Sequence, residues 1–194
     1  KNVQKLLDIG CGVGSAGLCV LARMPGITLT GIDIQQGLVD LAHQNAVLNS
    51  VEDRCRFFQG NINSEKAISD NAFHAAIMNP PYQAGGTHTP SPNRIKAVAH
   101  GEDASGADLN DWIKYAHKKL KNGGHLTLIH RADRLDDIIL HLTQRRWFGS
   151  LIIQPLASFE GEDAKRVIVS ARKERYAPLV LKHALIIHDK NKEY

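Results

Sequence analysis

The chain has 194 residues, 43% apolar and 23% charged, the balance of a soluble globular domain large enough to bury a proper core. No apolar run approaches the roughly 18 residues of a membrane span and no secretory pattern opens the chain, so membrane and exported classes are set aside and a cytoplasmic setting is expected. Net charge is +4 overall, but residues 112–194 carry sixteen basic against nine acidic side chains, and that basic back third suits an anionic partner, RNA or DNA first, as well as it suits a plain solvated surface.

In chain order, Val3 to Ile9 reads as a strand and Ser15 to Arg23 as a helix stopped by Pro25 and Gly26. Ile27 to Ile34 is a second strand, and Leu38, Leu41, Ala42 and Leu48 mark a helical face. Arg54 to Gln59 and His74 to Met78 follow as strands. Leu109, Trp112, Ile113, Ala116 and Leu120 repeat at helical spacing, with Asn122-Gly123-Gly124 as the expected stop. His125 to His130 is a strand, Leu135 to Leu142 a helix, and Leu151 to Gln154, Arg166 to Ala171 and Leu179 to Ile187 are late strands. The alternation predicts a mainly parallel α/β sheet covered on both faces, and the helix-poor end predicts an antiparallel edge. Residues 83–107 form the one long irregular stretch, expected to be a lid or disordered. No repeat or linker divides residues 1–194. Cys11, Cys19 and Cys55 are odd in number without metal spacing, as expected of reduced thiols. The spacing of His88, His100 and His130 matches no metal site, and none is expected.

"LLDIGCGVGSAG" joins the first strand to the first helix. Gly12, Gly14 and Gly17 fit the dinucleotide pattern G-x-G-x-x-G, while Gly10, Gly12 and Gly14 fit D-x-G-x-G-x-G equally well. Either way glycine lets backbone N–H groups approach a ligand at a helix N-terminus. Asp33, ending the second strand in "GIDI", is placed to accept hydrogen bonds from ribose hydroxyls. Asp8, two residues before the first glycine, suits a ligand with ammonium or sulfonium charge and does not suit a pyrophosphate.

The fourth strand stops at Asn79-Pro80-Pro81-Tyr82, at the carboxyl edge of the sheet, where open α/β sheets bind ligands. A stiff turn is the plain reading. The chemical one gives each residue a role. Asn79 supplies a side-chain acceptor. The prolines fix φ and hold the Pro80 carbonyl as a second acceptor. Tyr82 offers a face on which a base can stack. Two acceptors on one –NH2 group draw its lone pair out of conjugation and stabilise the charge that develops as the nitrogen gains a methyl group.

With "DIGCGVG" and this turn, the chain resembles the class I S-adenosylmethionine-dependent methyltransferases that act on amino groups. The resemblance implies a Rossmann-like fold with a seven-stranded sheet and an extra C-terminal strand. It also implies S-adenosylmethionine as cofactor, held by Asp8, Gly10, Gly12, Gly14, Asp33, Ile34, Asn61 and Ile62. Asn61, in "QGNIN", stands where the family commonly has an aspartate. Further segments, "MNPPYQAGG", "SPNRIKAVAH", "HRADRL", "AKRVIV" and "LIIHDKNKEY", resemble the bacterial transfer-RNA adenine-N6 methyltransferases, which act beside the anticodon of a valine tRNA. That likeness implies Asn79, Pro80 and Tyr82 as catalytic residues and Pro81, Arg94, Lys96, Arg131 and Arg166 as contacts to tRNA. Relatives also carry a segment before the first strand that helps cover the cofactor, so an upstream segment is expected here.

Competing readings are a protein-glutamine amide methyltransferase, a non-catalytic RNA-binding module on the same fold, and a nicotinamide-dependent oxidoreductase using Gly12, Gly14 and Gly17. The last leaves the Asn-Pro-Pro-Tyr turn without a role. No membrane or metal partner is expected, and the sequence leaves monomer and homodimer open.

Overall fold

The computed structural model describes residues 5–82 and 106–188. Its elements are β1 (Lys5–Ile9), α1 (Ser15–Arg23), β2 (Thr28–Asp33), α2 (Gln36–Leu48), β3 (Cys55–Gln59), β4 (Phe73–Met78), α3 (Leu109–Lys119), β5 (Leu120–Arg131), α4 (Leu135–Thr143), β6 (Phe148–Ala157), β7 (Arg166–Lys173), β8 (Val180–Leu181) and β9 (Leu185–Ile186). The strands lie in the order β3-β2-β1-β4-β5-β7-β6-β8, with β9 also on β6. Pairing is parallel from β3 to β5, and β7 runs antiparallel to both β5 and β6.

The mostly parallel sheet with an antiparallel edge is therefore present, but among the described residues it has nine strands rather than seven and an extra one. The expected strand over 179–187 is two short ones laid end to end along the same side of β6. No helix among the described residues is long and apolar enough to cross a membrane.

The period-2 alternation of β1 sends Leu6 and Asp8 to one face and Leu7 and Ile9 to the other. On the first face Leu6, Leu29 and Phe57 pack with Leu21, Val39, Ala42 and Ala46 of α1 and α2. On the second, Leu7, Ile9, Ile32, Leu126 and Leu128 pack with Trp112, Ile113, Ala116, Ile138 and Leu142 of α3 and α4. Each fully buried aliphatic side chain contributes about 1.5–3 kcal/mol. Both helix layers thus hang on strands whose carboxyl ends all point one way from β3 to β5.

A capping box opens α3, with Asp108 Oδ1 accepting from the Asp111 N–H and Asp111 Oδ2 from the Asp108 N–H. The helix ends at Lys119 and not at the glycine pair: Leu120 is fully buried and already pairs with Phe73, so the chain has entered the sheet. Asn122-Gly123-Gly124 forms an irregularity inside β5, between the Phe73–Leu120 and Ala75–His125 pairs, where Gly123 takes φ +73°.

The lysines around the end of α3 divide for the same reason. Lys121 lies in β5, Lys118 sits 3.5 Å from Asp70, and the lysine that matters most is Lys119. Its side chain is 1% exposed, with Nζ 3.2 Å from Glu65 and 3.1 Å from Asp70. Burial alone would raise the Glu65 pKa, but the Ile68 N–H, the Tyr115 hydroxyl and Lys119 outweigh it and hold the carboxyl below its ordinary value. Nearby, Lys173 Nζ donates to Asn71 Oδ1 and to the His117 and Leu120 carbonyls. These two buried ammonium groups clamp the segment after β3 to the end of α3. That segment begins with Asn61 and Ile62.

Candidate active site

One cleft opens at the carboxyl ends of β1, β2, β3 and β4, lined by Gly10, Ile32, Asp33, Ile34, Gln35, Leu38, Gly60, Asn61, Ile62, Asn79, Pro80, Pro81, Tyr82 and Trp112. The glycine loop, the acid after β2 and the Asn-Pro-Pro-Tyr turn therefore share a single wall, because β1 lies between β2 and β4. Asn79 is exposed, Pro80 is buried, and Pro81 and Tyr82 are half-buried.

Asp33 builds the floor before any ligand arrives. Its Oδ2 accepts from the Gly12 N–H at 2.8 Å and its Oδ1 from the Gln35 N–H at 3.0 Å. A carboxylate oxygen has further acceptor capacity, so both oxygens remain available to hydroxyl donors. Asn61 Oδ1 accepts from the Asn63 N–H at 2.9 Å, which orders the first turn after β3 and commits part of the carbonyl's capacity.

Asp8, Gly12 and Gly14 are not on the cleft wall. Asp8 is 3% exposed, and its Oδ2 accepts from the Gly17 N–H at 3.0 Å, in the first turn of α1. Gly14, the N-cap, has no side chain to do this, so Asp8 caps the helix from the strand and places its charge at the positive end of the helix dipole. Burial raises its pKa from 3.8 to about 7, against the Gly17 hydrogen bond and with some help from the charge of Asp33.

A raised carboxyl pKa favours folding fully below the unfolded value and loses that contribution as pH climbs through the folded one. The ligand-free protein should thus lose stability as pH rises from 3.8 through about 7. Asp8→Asn keeps an acceptor for Gly17 and removes the buried charge. It is expected to gain on the order of 2 kcal/mol over the parent above that range, read as a difference in melting temperature that opens with pH.

The basic residues divide. Arg94 and Lys96 lie outside the described residues. Arg131 is exposed and bound to Asp133 through its Nη2 and Nε. Arg166 faces Arg131 across the β5–β7 ladder and sets its guanidinium 5.9 Å from the centre of the Tyr82 ring. Two arginines directly opposite each other give this side of the mouth positive character. Among the described residues no three His, Cys, Asp or Glu side chains gather as a metal set.

Sequence reasoning missed Gln35 and Trp112 on the wall, and His130 behind Tyr82. Trp112 showed only as a helical apolar repeat. Its indole lies against Gly10 so closely that a Cβ there would stand 2.5 Å from Cη2.

Known proteins resemble this chain in sequence and fold. A release factor glutamine methyltransferase of Aliivibrio fischeri is 30% identical over 133 residues, 66% of this chain and 46% of its own length. A tRNA1(Val) (adenine(37)-N6)-methyltransferase of Porphyromonas gingivalis is 29% identical over 168 residues, 85% of this chain and 64% of its own. The chain thus spans about half to two thirds of the length of these relatives. The solved structure of a predicted O-methyltransferase from Agrobacterium tumefaciens superposes with a TM-score of 0.77 at 26% identity, covering 97% of this chain and 83% of that one.

The cofactor is S-adenosylmethionine, and the cleft fits it. Asp33 offers acceptors for ribose hydroxyls. Ile34, Leu38 and Ile62 give apolar surface for a base beside Asn61. Behind that wall, no atom of the described residues other than Gly12's own chain neighbours comes within 4 Å of where a Cβ on Gly12 would stand. A sequence model of the methyltransferase small domain matches residues 1–141, and the chain belongs to that family.

Proposed function

We propose that this chain methylates the exocyclic 6-amino group of an adenine in tRNA, next to the anticodon of a valine tRNA. The observation that carries the reading is the Asn79-Pro80-Pro81-Tyr82 turn on the same cleft wall as Asp33 and Asn61. Bound there, S-adenosylmethionine supplies an electrophilic methyl group on a sulfonium centre.

The chain's own residues do the rest. Asn79 Oδ1 and the Pro80 carbonyl accept the two amino hydrogens. This turns the nitrogen lone pair out of conjugation and offsets the positive charge as the N–C bond forms. Tyr82 stacks on the base and fixes its plane. The methylated nitrogen then releases one proton to water, and no strong base is required. Arg166, beside Tyr82, meets backbone phosphate.

The tRNA reading is favoured over glutamine because likeness to the tRNA enzymes runs further along the chain, through the late strands that carry Arg166. Glutamine presents the same –NH2 chemistry, and the matching identity of that relative keeps it as the second reading. The experiment supplies labelled S-adenosylmethionine to the full-length protein with bulk tRNA, a glutamine-bearing release factor, or DNA. Label is expected in tRNA, recovered as N6-methyladenosine after digestion. Label in the release factor, or in none of the three while cofactor binds, overturns the proposal.

A further inference from the structure

His130 is the penultimate residue of β5 and is 2% exposed. Its ring stands edge-on to Tyr82, with centroids 5.2 Å apart and planes at 70°. Burial lowers its pKa, with the charge of Arg134 adding to the effect, against hydrogen bonding to the Pro81 and Arg131 backbone and the charge of Asp133. The ring is therefore neutral at pH 7 and carries one proton. Among the described residues Nδ1 is buried with no hydrogen-bond partner, which assigns that proton to Nε2.

A core histidine that served only to fill space would be replaced at no loss by an apolar ring. A buried ring nitrogen without a partner costs about 1–3 kcal/mol, which the contacts of the ring's other edge must offset. Here that edge meets the last two residues of the turn. Arg166, one register position away on β7, brings its guanidinium to the same tyrosine ring. Tyr82 is thus flanked by two adjacent strands before the chain leaves the described residues.

We propose that His130 is a positioning residue, holding Pro81 and Tyr82 so that the tyrosine ring stands ready across the cleft mouth when the base arrives. The inference rests on the amino-methylation reading for its catalytic consequence, but not for its structural one. The test therefore has two arms.

In the first, the protein is labelled with 3-fluorotyrosine. It has four tyrosines, and the fluorine resonance lost in Tyr82→Phe identifies position 82. His130→Ala is expected to move that resonance to the position of a solvated tyrosine, and His130→Asn, which keeps a polar N–H, to leave it near the parent's. In the second, methyl transfer is followed to whichever acceptor the parent uses. His130→Ala should lower kcat roughly 10- to 100-fold with cofactor affinity unchanged, and His130→Asn should recover most of it. In a Tyr82→Ala background the same change should cost less than about twofold, because the two residues act as one unit.

An unmoved fluorine resonance overturns the proposal, as do losses that simply multiply in the double variant. A moved resonance in a protein that methylates nothing upholds the positioning role and overturns the proposed reaction instead.

Discussion

Asn79→Ala is expected to lower methyl transfer about 10²- to 10³-fold while cofactor affinity stays within about twofold of the parent. Removing one preorganised hydrogen-bonding partner of the reacting group is worth that much in other enzymes, because the group acts on charge that exists only in the transition state. Here the lost partner is an acceptor, and the charge it stabilises is the one growing on the amine nitrogen. With one acceptor left, the lone pair stays partly delocalised into the ring, and the nucleophile is weak. The contacts we propose for the cofactor are on other residues, chiefly Asp33 and the turn after β3, so binding is expected to survive. Asn79 is exposed just past the end of β4 and belongs to neither core cluster of the described residues, so the loss is not expected to come from unfolding. Single-turnover transfer together with calorimetric titration of the cofactor checks both halves. Transfer within about threefold of the parent would show that the turn does no more than shape the backbone.

The part of this site that sequence revealed is the part built from strand ends. Asp33 and Asn79 were found because each closes an apolar run, and parallel strands deliver all such ends to one edge. The helix over Ser15–Arg23 was found with its bounds, since periodicity and its Pro-Gly stop agree. The residues that escaped come from the far side of a crossover. Trp112 reaches the cleft because α3 lies over β1, and His130 reaches the back of Tyr82 because β4 and β5 are neighbours; no local pattern encodes either adjacency. Asp8 was read as a counter-charge for ligand, whereas its visible work is to cap α1. The glycine pair at Gly123-Gly124 misled in the opposite direction. It carries a stop signal, but burial of Lys119 and Leu120 ends the helix first, and the glycine serves an irregularity in the strand instead. Local propensity lost to tertiary burial there. The run over 179–187 instead divides at Lys182-His183, and the short strands on either side of that pair stay exposed.

Gly10→Ala is expected to cost about 2–5 kcal/mol of stability and at least about 100-fold in cofactor affinity, whereas Gly12→Ala should cost only about 1–2 kcal/mol. Both glycines have positive φ, +69° and +53°, so an alanine at either carries the left-handed penalty. Their surroundings differ. At Gly12 a Cβ would meet nothing within 4 Å, while at Gly10 it would stand 2.5 Å from Trp112 Cη2 and 2.9 Å from Cζ3. Neither side can yield easily. Trp112 is 7% exposed and packed in the core on the buried face of α3, and the Gly10 and Cys11 N–H groups are both bonded to the Ile32 carbonyl, at 2.8 and 2.9 Å. The clash must therefore push the glycine loop away from β2, and with it the Gly12 N–H that Asp33 holds. Affinity falls because the ribose acceptor and the loop move together. Trp112→Phe separates the two costs. It removes the far ring atoms that clash, and since the Trp112 indole N–H has no hydrogen-bond partner among the described residues, it gives up none there. In a Gly10→Ala, Trp112→Phe double variant, chemical denaturation should show the steric part of the loss recovered and the backbone part of about 1–2 kcal/mol retained. If the double variant is no more stable than Gly10→Ala alone, the indole is not what requires glycine at this position.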